Sequence, residues 1–311
     1  PPRSREISRG SDCRDTSAPP NRIAAVPFGH LRWWDVANTE TLSETAEKTL
    51  QNTKIYKIQR SDNMSSAICY WCGTEATSME HVPPKCLFPE EKDVKDVLNK
   101  SYRNNLITVP SCNEHNMNKS NLDEYLMATL SGKVGNNFVA YVHTATKVSR
   151  SRMRNPKIIK VDKSAILKLK NKEFPVLWIT VDTIKLRHSF EAITRALYFY
   201  ENNEVFKGSC FVVSTLFDHE DDPKGTEFNK RSSALLESEQ RHWKTELKGS
   251  NPDIFTYQFS EVDGFKCQTL SMNFYEGTRV FVILNGMTED EIEEAKPKFA
   301  FLTDAIFGDL N

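Results

Sequence analysis

The chain has no run of 18 apolar residues, so it lacks the signature of a membrane-spanning helix. Its first residues contain no apolar stretch behind a basic start, the mark of a secretory signal. A cytoplasmic location without membrane contact is therefore expected. Net charge is nearly absent: 41 Lys and Arg against 42 Asp and Glu leave −1 over 311 residues. Such a balance does not advertise a nucleic-acid partner, although local clusters of charge still can. Internal repeats are absent. Cysteine is sparse, with seven residues at uneven spacing, and this excludes the disulfide framework of a small secreted scaffold.

What remains is ordinary for a soluble chain of two or three domains: 39% hydrophobic and 27% charged residues. Residues 1–63 are expected to be a disordered or non-native extension. "PPRSREISRGSDCRDTSAPPNR" is rich in Pro, Ser and Arg without apolar periodicity. One helix is expected over 36–55, where Leu42, Ala46 and Leu50 recur every four residues, with the fold proper starting near Met64. Residues 64–135 hold a cysteine motif, the short strand "LITVP" and one helix from Ser111. There Ser111 reads as N-cap, Glu114 as its capping-box partner, Leu122, Leu126 and Leu130 as the apolar face, and Gly132 as the stop. Residues 136–173 read as a basic linker or hairpin. Within it, 147–172 carries ten Lys or Arg and one acid, Asp162. Residues 174–311 alternate strand-like runs ("FPVLWITVD", "KGSCFVVSTLF", "DIFTYQFSEV", "FKCQTLSMNFY", "TRVFVILNG") with helical ones, including a face of Phe190, Ile193, Leu197 and Tyr200. The expected class is α+β with a mostly antiparallel sheet.

The chemistry concentrates between Cys69 and Lys119. Cys69-x2-Cys72 and Cys112-x2-His115 offer the donor types and knuckle spacing of tetrahedral zinc, with 39 residues between the pairs. A redox CxxC fits less well, because no strand-then-helix pattern surrounds it. Cys86 could substitute as a ligand but reads better as a core or loop thiol. His188, His219 and His242 have no partner pattern and read as surface or structural residues. Four protein ligands close a zinc site, so hydrolysis must come from residues that the cage positions. Glu80, His81 and Asn116 are the candidates. A carboxylate and an amide oxygen suit Mg²⁺ or Mn²⁺, and a neutral imidazole can take a proton from water.

With these residues in place, "EHVPPK…NNLITVPSCNEHNMNKS" resembles the HNH endonucleases of the ββα-metal fold, specifically the zinc-stabilised subgroup with two knuckles. The resemblance covers about residues 67–130 and implies an HNH nuclease domain followed by an α+β domain of separate role. It implies divalent-metal-dependent phosphodiester hydrolysis with His81 as general base and Glu80 as the acidic metal ligand. Asn116 then matches the closing ligand on the helix, Asn105 the central Asn that braces the base, and Lys119 a phosphate contact. The sequence departs from the family in three places. Glu80 stands where Asp is usual, His115 replaces a cysteine, and Asn105 precedes Cys112 by seven positions with Asn104 beside it. Next to a nuclease-like motif, Lys147, Arg150, Arg152, Arg154 and Lys157 are expected to meet phosphate. The expected substrate is DNA. The alternatives are a ribonuclease or structure-selective nicking enzyme, and a non-catalytic zinc-stabilised nucleic-acid-binding module. Residues 174–311 are expected to serve binding, regulation or a partner protein, an arrangement that resembles effectors of phage-defence or toxin modules.

Overall fold

The computed structural model describes residues 21–25, 67–117, 120–169 and 172–308. The helix expected over 36–55 and the basic residue Lys119 lie outside the described residues. Two strands frame the cysteine motif. β2 (Ser78–Val82) and β3 (Ile107–Ser111) pair antiparallel, with Glu80 opposite Val109 and His81 opposite Thr108. Earlier in the chain, β1 (Asn21–Ala25), inside the segment expected to be an extension, runs antiparallel to residues 177–181.

The connection between β2 and β3 contains a helix that the sequence reading passed over, α1 (Glu91–Leu98), which buries only Val94. After β3 come α2 (Asn113–Met117) and α3 (Ser120–Ser131). Ser111 is not the N-cap of this helix. Thr77 N donates to Ser111 O, so strand pairing runs on through Ser111, and the first helical bond is Asn116 N to Cys112 O. The side chain of Ser111 is fully buried against the backbone of Cys112. From Tyr125 to Ser131, α3 is buried on every side, wider than the single expected leucine face.

The basic segment divides into two structures. Its first part is helical: α4 (Phe138–His143) continues through a π-helical turn into α5 (Ser149–Arg154). The second part is a hairpin, β4 (Lys160–Leu169) with β5 (Lys172–Val181). α6 (Thr183–Asn202) follows, capped by Asp182, whose side chain accepts from Lys185 N. Its buried face is Leu186, Phe190, Ile193 and Leu197, while Tyr200 is 43% exposed and lies outside that face.

The remaining elements follow the strand and helix order read from the sequence, except for the strand Lys248–Asn251, which was not anticipated. They are β6 (Ser209–Val213), α7 (Pro223–Gln240), β7 (Lys248–Asn251), β8 (Phe255–Phe259), β9 (Cys267–Phe274), β10 (Thr278–Asn285) and α8 (Glu289–Phe307). Two larger antiparallel sheets result, β1-β5-β4 and β6-β10-β9-β8-β7. Among the described residues no helix is long and apolar enough to cross a membrane.

One hydrophobic core runs across the expected domain boundaries, from Tyr70, Leu126 and Val139 to Phe190, Phe274 and Val282. The tight turn between β9 and β10 plugs into the motif region. Tyr275 Oη donates to Leu87 O at 2.6 Å and accepts from Ser131 Oγ at 3.3 Å. Lys133 Nζ donates to Gly277 O. A Cβ on Gly277 would stand 2.3 Å from Gly135 O, so the two backbones can approach only without a side chain there. Gly277→Ala is expected to destabilise the whole chain by about 1–3 kcal/mol, read as a lower urea midpoint with an unchanged slope.

His143 is fully buried, with Nε2 donating to Cys86 O at 3.0 Å and no partner at Nδ1 among the described residues. Burial, with Lys147 nearby, pushes its pKa down to about 3. The unfolded chain therefore takes up a proton below about pH 6.5 that the folded chain refuses. Stability is full above that pH and declines as pH falls towards 3. His143→Leu is expected to start less stable but to show a shallower decline between about pH 6.5 and 4.5, followed by thermal melting.

Candidate metal centre and adjoining cleft

The knuckle starts from a tight turn. Cys69 N donates to Thr74 O at 2.7 Å and Gly73 N to Cys69 O at 2.9 Å. Gly73 takes φ +74°, a conformation that a side chain would strain. This turn delivers Cys69 and Cys72, while the end of β3 and the first turn of α2 deliver Cys112 and His115. The four donor atoms lie within 4.8 Å of one another. Cys72 Sγ is 3.8 Å from Cys112 Sγ, and His115 Nδ1 is 3.8 Å from Cys69 Sγ and 3.1 Å from Cys112 Sγ. A zinc ion about 2.3 Å from each sulfur places neighbouring sulfurs about 3.8 Å apart. The group is therefore able to hold a metal such as zinc, and it is closed, with no position left for substrate.

The thiols differ in ease of ionisation. Burial pushes the Cys69 thiol up. At Cys72, desolvation is outweighed by hydrogen bonding, chiefly from Thr74, whose Oγ1 is 3.0 Å from the sulfur, and the thiol is lowered. Cys86 takes no part: its thiol donates to Asp123 O, and burial pushes it up to about 12.

The metal group is braced from the second half of the chain. Trp71 stacks on His115 at 5.4 Å and meets His188 of α6 at 5.5 Å. The Arg195 guanidinium lies 5.1 Å from the Trp71 ring, held by Glu191 and by the carbonyls of Phe206 and Gly208.

Next to this group is a narrow cleft, with room for about one water, lined by Glu80, His81, Leu122, Asp123, His188 and Ser189. Glu80 and His81 sit side by side on β2. The buried Tyr70 hydroxyl donates to the Glu80 carboxylate. His81 is held below its ordinary pKa first by desolvation and then by Lys85 and Arg103, so its imidazole is neutral at pH 7. Asn116 Nδ2 donates to Ser78 Oγ at 2.7 Å. Ser78 and Glu80 share one face of β2, because side chains alternate along a strand. Asn116 is thus fixed at Ser78, two residues from Glu80 along β2, and stands outside the cleft lining.

The other expected site residues are placed differently. Asn105 is exposed, at φ +55° on the turn entering β3, outside the cleft lining. Lys147, Arg150 and Arg154 form ion pairs with Glu90, Asp93 and Glu124. Arg152 is half-buried and Lys157 exposed. Conversely, Asp123 and His188 were not anticipated. Asp123 stands seven residues after Asn116, the spacing of one helical face over two turns, which was a readable signal. Nothing in the sequence links His188 to the motif, because only the packing of α6 brings it there.

Comparison with family models, curated proteins and solved structures returns no match to this chain.

Cys112→Ser is expected to abolish stoichiometric zinc in the purified protein and to lower the melting temperature by at least about 10 °C. Elemental analysis and calorimetry read the two effects.

Proposed function

We propose that the protein is a metal-dependent endonuclease of the HNH type that hydrolyses phosphodiester bonds, with DNA as substrate. One observation carries the reading. A neutral histidine and a carboxylate adjoin on one strand at a cleft, and an asparagine is anchored to that same strand two residues away. The Cys69, Cys72, Cys112 and His115 group supports it by tying the strand-bearing turn to the helix that carries Asn116. In this reading zinc there is structural.

Glu80 and Asn116 would hold Mg²⁺ or Mn²⁺, since both present hard oxygen donors. The ion, when bound, supplies Lewis-acid stabilisation of the charge that grows on the phosphoryl oxygens. His81 accepts a proton from the water whose oxygen attacks phosphorus. As the new P–O bond forms, the bond to the 3′-oxygen breaks. Tyr70 orients Glu80 from below, and its hydroxyl stays protonated because burial and the nearby carboxylate push it up. Desolvation, helped by Lys85 and Arg103, keeps His81 in its proton-accepting form.

His81→Ala is expected to cut supercoiled plasmid at least about 10²-fold more slowly in Mg²⁺, with zinc content and melting unchanged. Glu80→Gln should do the same. Plasmid and RNA are offered in parallel, and cleavage of RNA alone would redirect the substrate assignment. A His81→Ala protein that cuts at the wild-type rate would sink the mechanism.

A further inference from the structure

The cleft beside Glu80 and His81 has room for about one water. It can seat the attacking water of the nuclease reading but not a nucleotide, so a phosphodiester must lie across its mouth. Five polar side chains line it: Glu80, His81, Asp123, His188 and Ser189. Two of them are carboxylates, which repel an anion unless a cation stands between. The Ser189 hydroxyl is engaged with Lys185 O at 2.8 Å. His81 serves the water in the proposed reaction. Only His188 is left to meet the phosphate directly.

His188 stands on the second turn of α6, exposed, and among the described residues no hydrogen bond occupies its ring. The ring is placed nonetheless. Trp71 meets it at 5.5 Å, and Trp71 is itself stacked on His115 and covered by the Arg195 guanidinium. An imidazole carries at least one N–H whether charged or neutral, so His188 can donate in either state. The β2 side of the mouth is basic. Lys85 follows Pro84 of the lining, is exposed, and pairs with no carboxylate among the described residues. Arg103 and Lys147, by contrast, are both committed to Glu90. A donor from α6 and an unmatched cation from the turn after β2 suit one negative charge held between them.

We propose that His188 is a catalytic residue of the centre, donating a hydrogen bond to a non-bridging oxygen of the scissile phosphodiester at the cleft mouth. Charge grows on that oxygen in the transition state, and the bond strengthens with it. The covalent step keeps its balance. The water proton passes to His81, the new P–O bond forms, the bond to the 3′-oxygen breaks, and His188 retains its proton. The C-terminal half thereby supplies part of the machinery, and the motif region alone is an incomplete site. The inference deepens the nuclease reading and rests on it for the reaction.

The test uses the full chain as wild type, His188→Ala and His188→Gln. Each is assayed in Mg²⁺ on duplex DNA and on bis(p-nitrophenyl) phosphate, a diester without flanking nucleotides. His188→Ala is expected to lower kcat on DNA about 10²-fold, the loss typical of one oxyanion donor, with KM nearly unchanged. kcat/KM on the small diester should fall by a similar factor. His188→Gln should recover at least about 10-fold of the loss, because its amide can donate in place of the ring. Zinc content and melting temperature should match wild type in both variants. Wild-type cleavage by His188→Ala overturns the proposal and leaves the nuclease reading standing. So does a loss confined to DNA, which would put His188 on the flanking backbone. A Gln variant no faster than Ala, or a loss of zinc in both, also overturns it. Dimethyl phosphate in Mg²⁺ is titrated separately, with the His188 ring signals followed by NMR and assigned by their absence from the Ala variant. Those signals should shift. If they shift but wild type cuts neither substrate, only the nuclease reading falls; if they stay still, the His188 assignment falls whatever is cut.

Discussion

Four soft donors within 4.8 Å of one another are the constraint on which the rest of the structure depends. Two come from a turn and two from the far end of a hairpin, and bringing them together fixes where β2 stands relative to α2. Glu80 and His81 inherit their positions from that closure, and so does Asn116, which adjoins His115 in sequence. A displacement of the knuckle would move the strand and with it both cleft residues. The donor set is selective as well: three thiols and an imidazole suit a borderline-soft ion, while the neighbouring carboxylate and amide suit a hard one.

The second half of the chain acts as a support for this centre. Trp71 stacks on a donor of the group on one side and meets α6 on the other, and Arg195 sits over its ring with its remaining bonds spent on backbone carbonyls. The β9–β10 turn inserts Tyr275 below the loop after β2. Such contacts join the two expected domains through a continuous core. They also explain how a helix from the C-terminal half lines the cleft.

Charge is partitioned in a similar way. A near-neutral chain concentrates ten basic residues over 147–172, yet Lys147, Arg150 and Arg154 face Glu90, Asp93 and Glu124 and help to seat the helix. Later lysines lie on the β4–β5 hairpin. Coulomb attraction adds to the packing of the helix where carboxylates lie within reach.

The sequence by itself determined the donor set, the acid–histidine pair and, apart from β7, the order of strands and helices in the C-terminal half. Residue type, spacing and periodicity are local properties, and they carry that information directly. It also marked the basic segment but could not say which of its charges were already paired. Ser111 looked like a cap because its chemistry suits one; pairing with Ser78 kept it in the strand. α1 went unread because eight mostly charged residues bury a single valine. Tyr200 continued the apolar face in sequence but falls where α6 meets solvent. Only the tertiary structure decided that His188 would share a cleft with Glu80 and His81, because that meeting depends on packing between segments more than a hundred residues apart.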